Sequence, residues 1–278
     1  MKKIIAAIDA LHFSDEQVEA FKYIAREAES SLTVVCLDDI VSELTPMGTM
    51  YPGGYAYNYE QITAESRAAL EFQRDKNLKQ LHEICDGSNV DIKVRETAGV
   101  PVEKVVEESR FADLLLIGNS TSFATLYETD PPRFVKDLLA EAECPVMVLP
   151  EVMSPVKEII FSYNGTFSSM YAIRQFTQLF PGYADMPVKV VYVAENNNKV
   201  MPWEPKLREY LDMHYDTVEY IILNGEPATE FLALLIHRKD CIVTYGAYGR
   251  SGVSRFFHRS DADNILRTVN IPVFVTHP

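Results

Sequence analysis

Ile242-Val243-Thr244-Tyr245-Gly246 is an apolar run that ends in glycine, and Ala247-Tyr248-Gly249 carries the chain on into a glycine-rich turn. The same pattern stands earlier, as Leu114-Leu115-Leu116-Ile117-Gly118. Short apolar runs bounded by turn residues are what a strand buried on both faces leaves in a sequence. Working outward, the two runs keep the same neighbours. A Gly-Xaa-Pro turn precedes each, Gly99-Val100-Pro101 and Gly225-Glu226-Pro227, and a Pro-led strand follows each, Pro145-Val146-Met147-Val148-Leu149 and Pro272-Val273-Phe274-Val275-Thr276. A lysine-led strand opens each copy, Lys3-Ile4-Ile5 and Lys157-Glu158-Ile159-Ile160. A repeat this long is a duplicated domain rather than a solenoid unit. The expected domains are residues 1–152 and 153–278. They join through Pro150-Glu151-Val152-Met153-Ser154-Pro155, where two prolines exclude both helix and central strand.

Between these landmarks strand and helix signals alternate. Residues 4–8 read as a buried strand, and Ser14-Asp15-Glu16-Gln17 as a capping box opening a helix with Val18, Phe21, Ile24, Ala25 and Ala28 on one face. A strand at 32–37 follows. The Gly/Tyr/Pro-rich stretch 45–59 predicts a mobile surface loop. A long helix is expected over 62–84, a short strand at 92–94, a helix from Pro101 and a last helix around 134–139. The second copy predicts helices over 168–180, 207–214, 228–237 and 261–269 between strands at 158–163, 188–193, 218–222, 241–245 and 273–276. Such alternation gives an α/β fold of two doubly wound, five-stranded parallel sheets with right-handed crossovers. With strand order 3-2-1-4-5, a ligand crevice opens at the carboxyl ends of strands one and four. The loops after Tyr163 and Tyr245 would then face each other across one cleft.

Composition narrows the function. The 278 residues are 47% apolar and 24% charged, which describes a globular protein, and no apolar run approaches the roughly 20 residues of a membrane span. Asp9 interrupts the first apolar stretch too early for a signal core, so a cytoplasmic strand is expected there. Cys36, Cys85, Cys144 and Cys241 lie far apart and read as free thiols of a reducing compartment. The net charge of −14 argues against nucleic-acid binding. That charge is uneven: 14 Lys+Arg against 27 Asp+Glu through Val152 give −13, while 12 against 13 afterwards give −1. The second half can receive an anion without a repulsive field. The six histidines form no metal-ligand spacing, and neither a Gly-x-Ser-x-Gly elbow nor a Walker A motif occurs. Ser251 and Ser254 near His258 are ordinary for a glycine-rich loop, so nothing beyond slow ATP hydrolysis is expected. Asp38-Asp39 reads as solvated loop acids rather than a Mg²⁺ site. Tyr51, Tyr55, Tyr57 and Tyr59 fit a partner-docking loop or a lid equally well.

Chemistry concentrates after the fourth strand of the second copy. Gly246, Gly249 and Gly252 leave backbone amides free to approach an anion, and Ser260 is expected to open the final helix, whose unpaired amides favour phosphate. Between Arg250 and Ser260 stand three arginines and His258, with no acid. These residues resemble the universal stress proteins, whose nucleotide-binding members carry Gly-x-x-Gly, nine residues, then Gly-Ser or Gly-Thr. Gly246 and Gly249 match; nine residues later Arg259 replaces the glycine and Ser260 matches. The resemblance covers essentially the whole chain in two copies. It implies a stress-response binding protein governed by ATP or a related adenine nucleotide, with or without Mg²⁺, and an unidentified protein partner. The implied binding residues are Asn164, Gly165, Val193, Gly246, Gly249, Arg250, Arg259 and Ser260.

Departures from the family pattern matter. Asn164, followed by Gly165, stands where binding members carry an aspartate facing the adenine. Arg259 either crowds the phosphate pocket or supplies a charge-assisted contact. The first copy keeps Asp9 but has Thr121 at the second glycine, and Glu128-Thr129-Asp130-Pro131-Pro132 puts acid where phosphate belongs. That copy is expected to be silent for nucleotide. The alternative function is a nucleotide-free interaction or scaffold module with a decayed pocket. Single-domain relatives commonly dimerise through the fifth strand, so the two fifth strands are expected to pair antiparallel within this chain. A homodimer beyond that is compatible but not required.

Overall fold

The computed structural model describes residues 2–38, 56–124, 128–194, 200–246 and 259–276, with 56–67 and 259–262 by backbone alone. Ten strands form one sheet: β1 Lys2–Asp9, β2 Ser30–Asp38, β3 Ile92–Ala98, β4 Leu114–Gly118, β5 Val146–Leu149, β6 Glu158–Ser162, β7 Val188–Ala194, β8 Val218–Asn224, β9 Cys241–Gly246 and β10 Val273–Thr276. Their order is β3-β2-β1-β4-β5-β10-β9-β6-β7-β8, so each half has the expected 3-2-1-4-5 arrangement. Neighbours within each half are parallel. The two fifth strands meet antiparallel, Val273 opposite Val148 and Val275 opposite Val146. That pairing removes both edges the fifth strands would otherwise expose.

Eight α-helices flank the sheet among the described residues: α1 Asp15–Glu27, α2 Ala56–Cys85, α3 Pro101–Ser109, α4 Arg133–Glu141, α5 Phe167–Leu179, α6 Glu204–Leu211, α7 Pro227–Leu235 and α8 Arg259–Thr268. Alternation along each strand sorts the core into two layers. Ile4, Ala6 and Ile8 pack with Phe21 and Ile24 of α1, in a cluster that continues through Phe161, Phe176 and Phe274. Ile5 and Ala7 pack on the other face with Phe134 and Leu138 of α4, continuous with Val243, Val275 and Ile265. Both layers run through both halves. None of the described helices is long and apolar enough to cross a membrane.

Local signals explain most boundaries. Ser14 caps α1 by accepting from the Gln17 amide at 3.1 Å, and Pro101 and Pro227 occupy the first turns of α3 and α7. Two expectations shift. α2 begins at Ala56, so residues 56–59 of the predicted loop are helical; no glycine or proline lies between Gly54 and Gly87 to stop it. The remainder of that loop lies outside the described residues. α8 begins at Arg259, which makes Ser260 its second residue rather than its cap.

Candidate functional site

In the second half β6 pairs with β9, Phe161 opposite Thr244, so the carboxyl ends of these two strands lie side by side. Asn164 then closes an Asx turn: its Oδ1 accepts from the Thr166 amide at 3.0 Å and from the Thr166 hydroxyl at 2.6 Å. Its Nδ2 has no hydrogen bond among the described residues. Thr166 in turn caps α5 by accepting from the Ser169 amide at 3.4 Å. Gly165 sits at φ +78°, and a Cβ there would lie 2.6 Å from Pro202 Cβ. The segment around Pro202 therefore rests directly on the Asn164-Gly165 turn, tied by a 3.0 Å hydrogen bond from the Tyr163 hydroxyl to the Pro202 carbonyl.

Gly246 is pressed on α5 from the other side, since a Cβ there would lie 2.2 Å from the Ser168 carbonyl oxygen. A side chain at this position would push the helix off the sheet. Val193 is 1% exposed, inside the layer that holds Tyr245 and Phe231, so it forms the floor of this end of the sheet rather than an open wall. Gly249 and Arg250 lie outside the described residues; Arg259 and Ser260 are placed by their backbone in the first turn of α8. α8 ends shortly before β10, whose Val273 pairs with Val243 near the start of β9. Its ten residues span about 15 Å, which returns its N-terminus to the carboxyl ends of the strands. Asn164, Gly165, Gly246 and the amides of that turn thus converge at one end of the sheet.

The first half builds the same corner and fills it differently. Asp9 closes the equivalent Asx turn, its Oδ1 accepting from the Leu11 amide at 2.8 Å and its Oδ2 2.8 Å from His12 Nδ1. Burial pushes the Asp9 carboxyl above its ordinary value, against the opposing hydrogen bonds from Leu11 and His12. A cavity of about 640 Å³ opens beside it, lined by His12, Gln17, Asn77, Thr121 and Glu151 among others, with no lysine or arginine among the described residues. Two contacts close its anion end. Gln17 Nε2 donates to Thr121 Oγ1 at 3.0 Å, directly over Gly118, where a Cβ would lie 2.2 Å from the same nitrogen. Glu128 accepts from the Ser122 hydroxyl, from the Thr129 amide at 2.8 Å and from the Arg133 amide at 3.0 Å, at the first turn of α4. Desolvation alone would raise its pKa, but the bonds from Ser122, Arg133 and Thr129 hold it below the ordinary value. A fixed carboxylate thus occupies the place where a helix N-terminus would receive phosphate. Among the described residues, no group of three His, Cys, Asp or Glu is placed to hold a metal ion.

The structure aligns with a universal stress protein from Archaeoglobus fulgidus DSM 4304 at a TM-score of 0.68 and 15% identity, covering 98% of both chains. The chain has the universal stress protein fold. A functionally unknown protein from Pseudomonas aeruginosa PAO1 also aligns, with a TM-score of 0.58 at 12% identity over 100% of this chain and 93% of that one. No protein-family model and no curated protein matches the sequence. Within the universal stress protein fold, the Gln17–Thr121 latch and the Pro202–Gly165 contact escaped sequence reasoning. Their partners lie 104 and 37 residues apart and carry no spacing signal. Glu128 was legible as an acid in the wrong place, but not as a cap.

Proposed function

We propose that this chain is a nucleotide-responsive binding protein that holds one ATP or related adenine nucleotide at the β6–β9 crevice. One observation carries the reading. The β6–β9 pairing brings the Asn164-Gly165 turn, Gly246 and the N-terminus of α8 to the same end of the sheet. The residues present suit such a ligand. Asn164 spends its oxygen on Thr166 and keeps its amide hydrogens for a base, while the first turn of α8 offers backbone N–H groups to phosphate. Arg250 and Arg259 would neutralise phosphate charge, and the nearly neutral second half raises no opposing field. The first half is excluded from the same role by the Glu128 carboxylate and the Gln17–Thr121 latch.

Calorimetry with ATP should give one site per chain, abolished in Gly249→Asp. Two equal sites, or no heat up to millimolar ATP, would overturn the reading. The second reading, a nucleotide-free interaction module, draws on the Asx turns at Asp9 and Asn164. Each explains its residue type by a backbone bond alone. A flat titration would favour it.

A further inference from the structure

Trp203 is the only tryptophan of the chain, and its backbone sits in the left-handed region, at φ 56° and ψ 20°. Bulky side chains rarely adopt that conformation. Among the described residues nothing calls for one here. Trp203 precedes α6 without making a side-chain cap bond, where asparagine or glycine would do better. The residue is 66% exposed, so core packing does not offset the strain. Among the described residues its ring meets Lys206, whose Nζ lies 5.6 Å from the centroid, over one face. Pro202 lies on Gly165, and one backbone step of about 3.8 Å separates it from Trp203. Phe167, which opens α5 just after the Asn164-Gly165 turn, is also 68% exposed. Strained residues that the fold leaves unexplained cluster at ligand clamps.

We propose that Trp203 is the base platform of the β6–β9 crevice, stacking its indole on the planar ring of the ligand, an inference that rests on the nucleotide reading above. Lys206 covers one face of the indole, which leaves the opposite face for a purine. Because every nucleobase has a π-face, this contact selects for the presence of a base rather than for its hydrogen-bonding edge. Polyphosphate without a base gains nothing from it.

With a single tryptophan, fluorescence excited at the red edge of the band, where the tyrosines do not absorb, reads this residue alone, while calorimetry reads binding whether or not Trp203 takes part. ATP and adenosine should both change the emission of the intact chain, and tripolyphosphate should leave it unchanged. Trp203→Ala should weaken ATP and adenosine alike by roughly tenfold, the range of a lost aromatic–base stack, while Trp203→Phe should restore most of the affinity. Calorimetric ATP binding with unchanged emission would overturn the platform and leave the nucleotide reading standing. So would a Trp203→Ala variant that binds ATP as tightly as the parent. Absence of ATP binding in calorimetry overturns both.

Discussion

At Gly87 the backbone φ is +74° and a Cβ would meet nothing within 4 Å, so alanine there brings conformational strain alone. Gly165 adds a contact to a similar φ of +78°, with Pro202 Cβ 2.6 Å from the position a Cβ would take. Gly246 reverses the balance: its backbone is ordinary, but the obstacle is the Ser168 carbonyl at 2.2 Å, part of a helix that cannot swing aside like a side chain. These differences order three variants. Gly87→Ala should lose about 1 kcal/mol, Gly165→Ala more, and Gly246→Ala the most, about 3 kcal/mol as expected for overpacking against backbone. Urea midpoints measure the series, and a Gly246→Ala variant no less stable than Gly87→Ala would discard the close-packing account. The same residue marks a limit of sequence reading. A glycine after a fourth strand reads as a phosphate-loop residue, whereas its nearest neighbour is the backbone of α5.

Helix α4 is capped by a side chain four residues before its own N-cap. Its N-cap, Pro132, offers no side-chain cap, and Glu128 reaches in to accept from the Arg133 amide instead. Glu128→Ala should cost about 1 kcal/mol near neutral pH, the scale of a lost cap. The Glu128 pKa is depressed in the fold, so its contribution is present above the ordinary value of 4.5 and fades as pH falls through the lowered one. Parent and variant should therefore converge in urea unfolding at acid pH; a gap unchanged from pH 7 to pH 3 would contradict the capping role. The elements themselves were largely legible, because a parallel sheet buried on both faces leaves continuous apolar runs such as Leu114–Gly118. The misses are physical too. The start of α2 at Ala56 lacks an apolar period, since its first turns need only the absence of glycine and proline to continue. Of the candidate site, the Asn164-Gly165 turn and Gly246 could be read in advance, but Trp203 could not: its strain is a backbone angle, which residue type does not announce.

At the scale of the whole molecule, the repeat has become one body. The Pro145 carbonyl accepts from Leu115 of β4 at 2.9 Å and the Leu149 carbonyl from Asn119, just past β4, at 2.8 Å, so the backbone groups of the alternate residues Val146 and Val148 face β10. On the other side the Pro272 carbonyl accepts from Val243 at 3.1 Å, which turns Val273 and Val275 toward β5. Beyond the strands, the Tyr23 hydroxyl accepts from the Val156 amide at 3.3 Å, Lys2 donates to the Leu179 carbonyl, and both core layers cross the junction. Such continuity predicts a single cooperative unfolding transition. Thiols supply the probes. Burial pushes Cys36, on β2, up to about 12 and Cys241, on β9, up to about 11, so neither is reactive while its half is folded. In a urea series with mass-spectrometric readout of alkylation, the two should become reactive at the same midpoint. Val148→Pro with Val275→Pro removes two N–H groups that point across the junction and spares the bonds to β4 and β9. In that variant the Cys36 and Cys241 midpoints should separate. Two midpoints already in the parent would mean that the halves unfold independently despite the shared sheet, and a variant that still unfolds as one would place the coupling in the helices rather than in the β5–β10 pair.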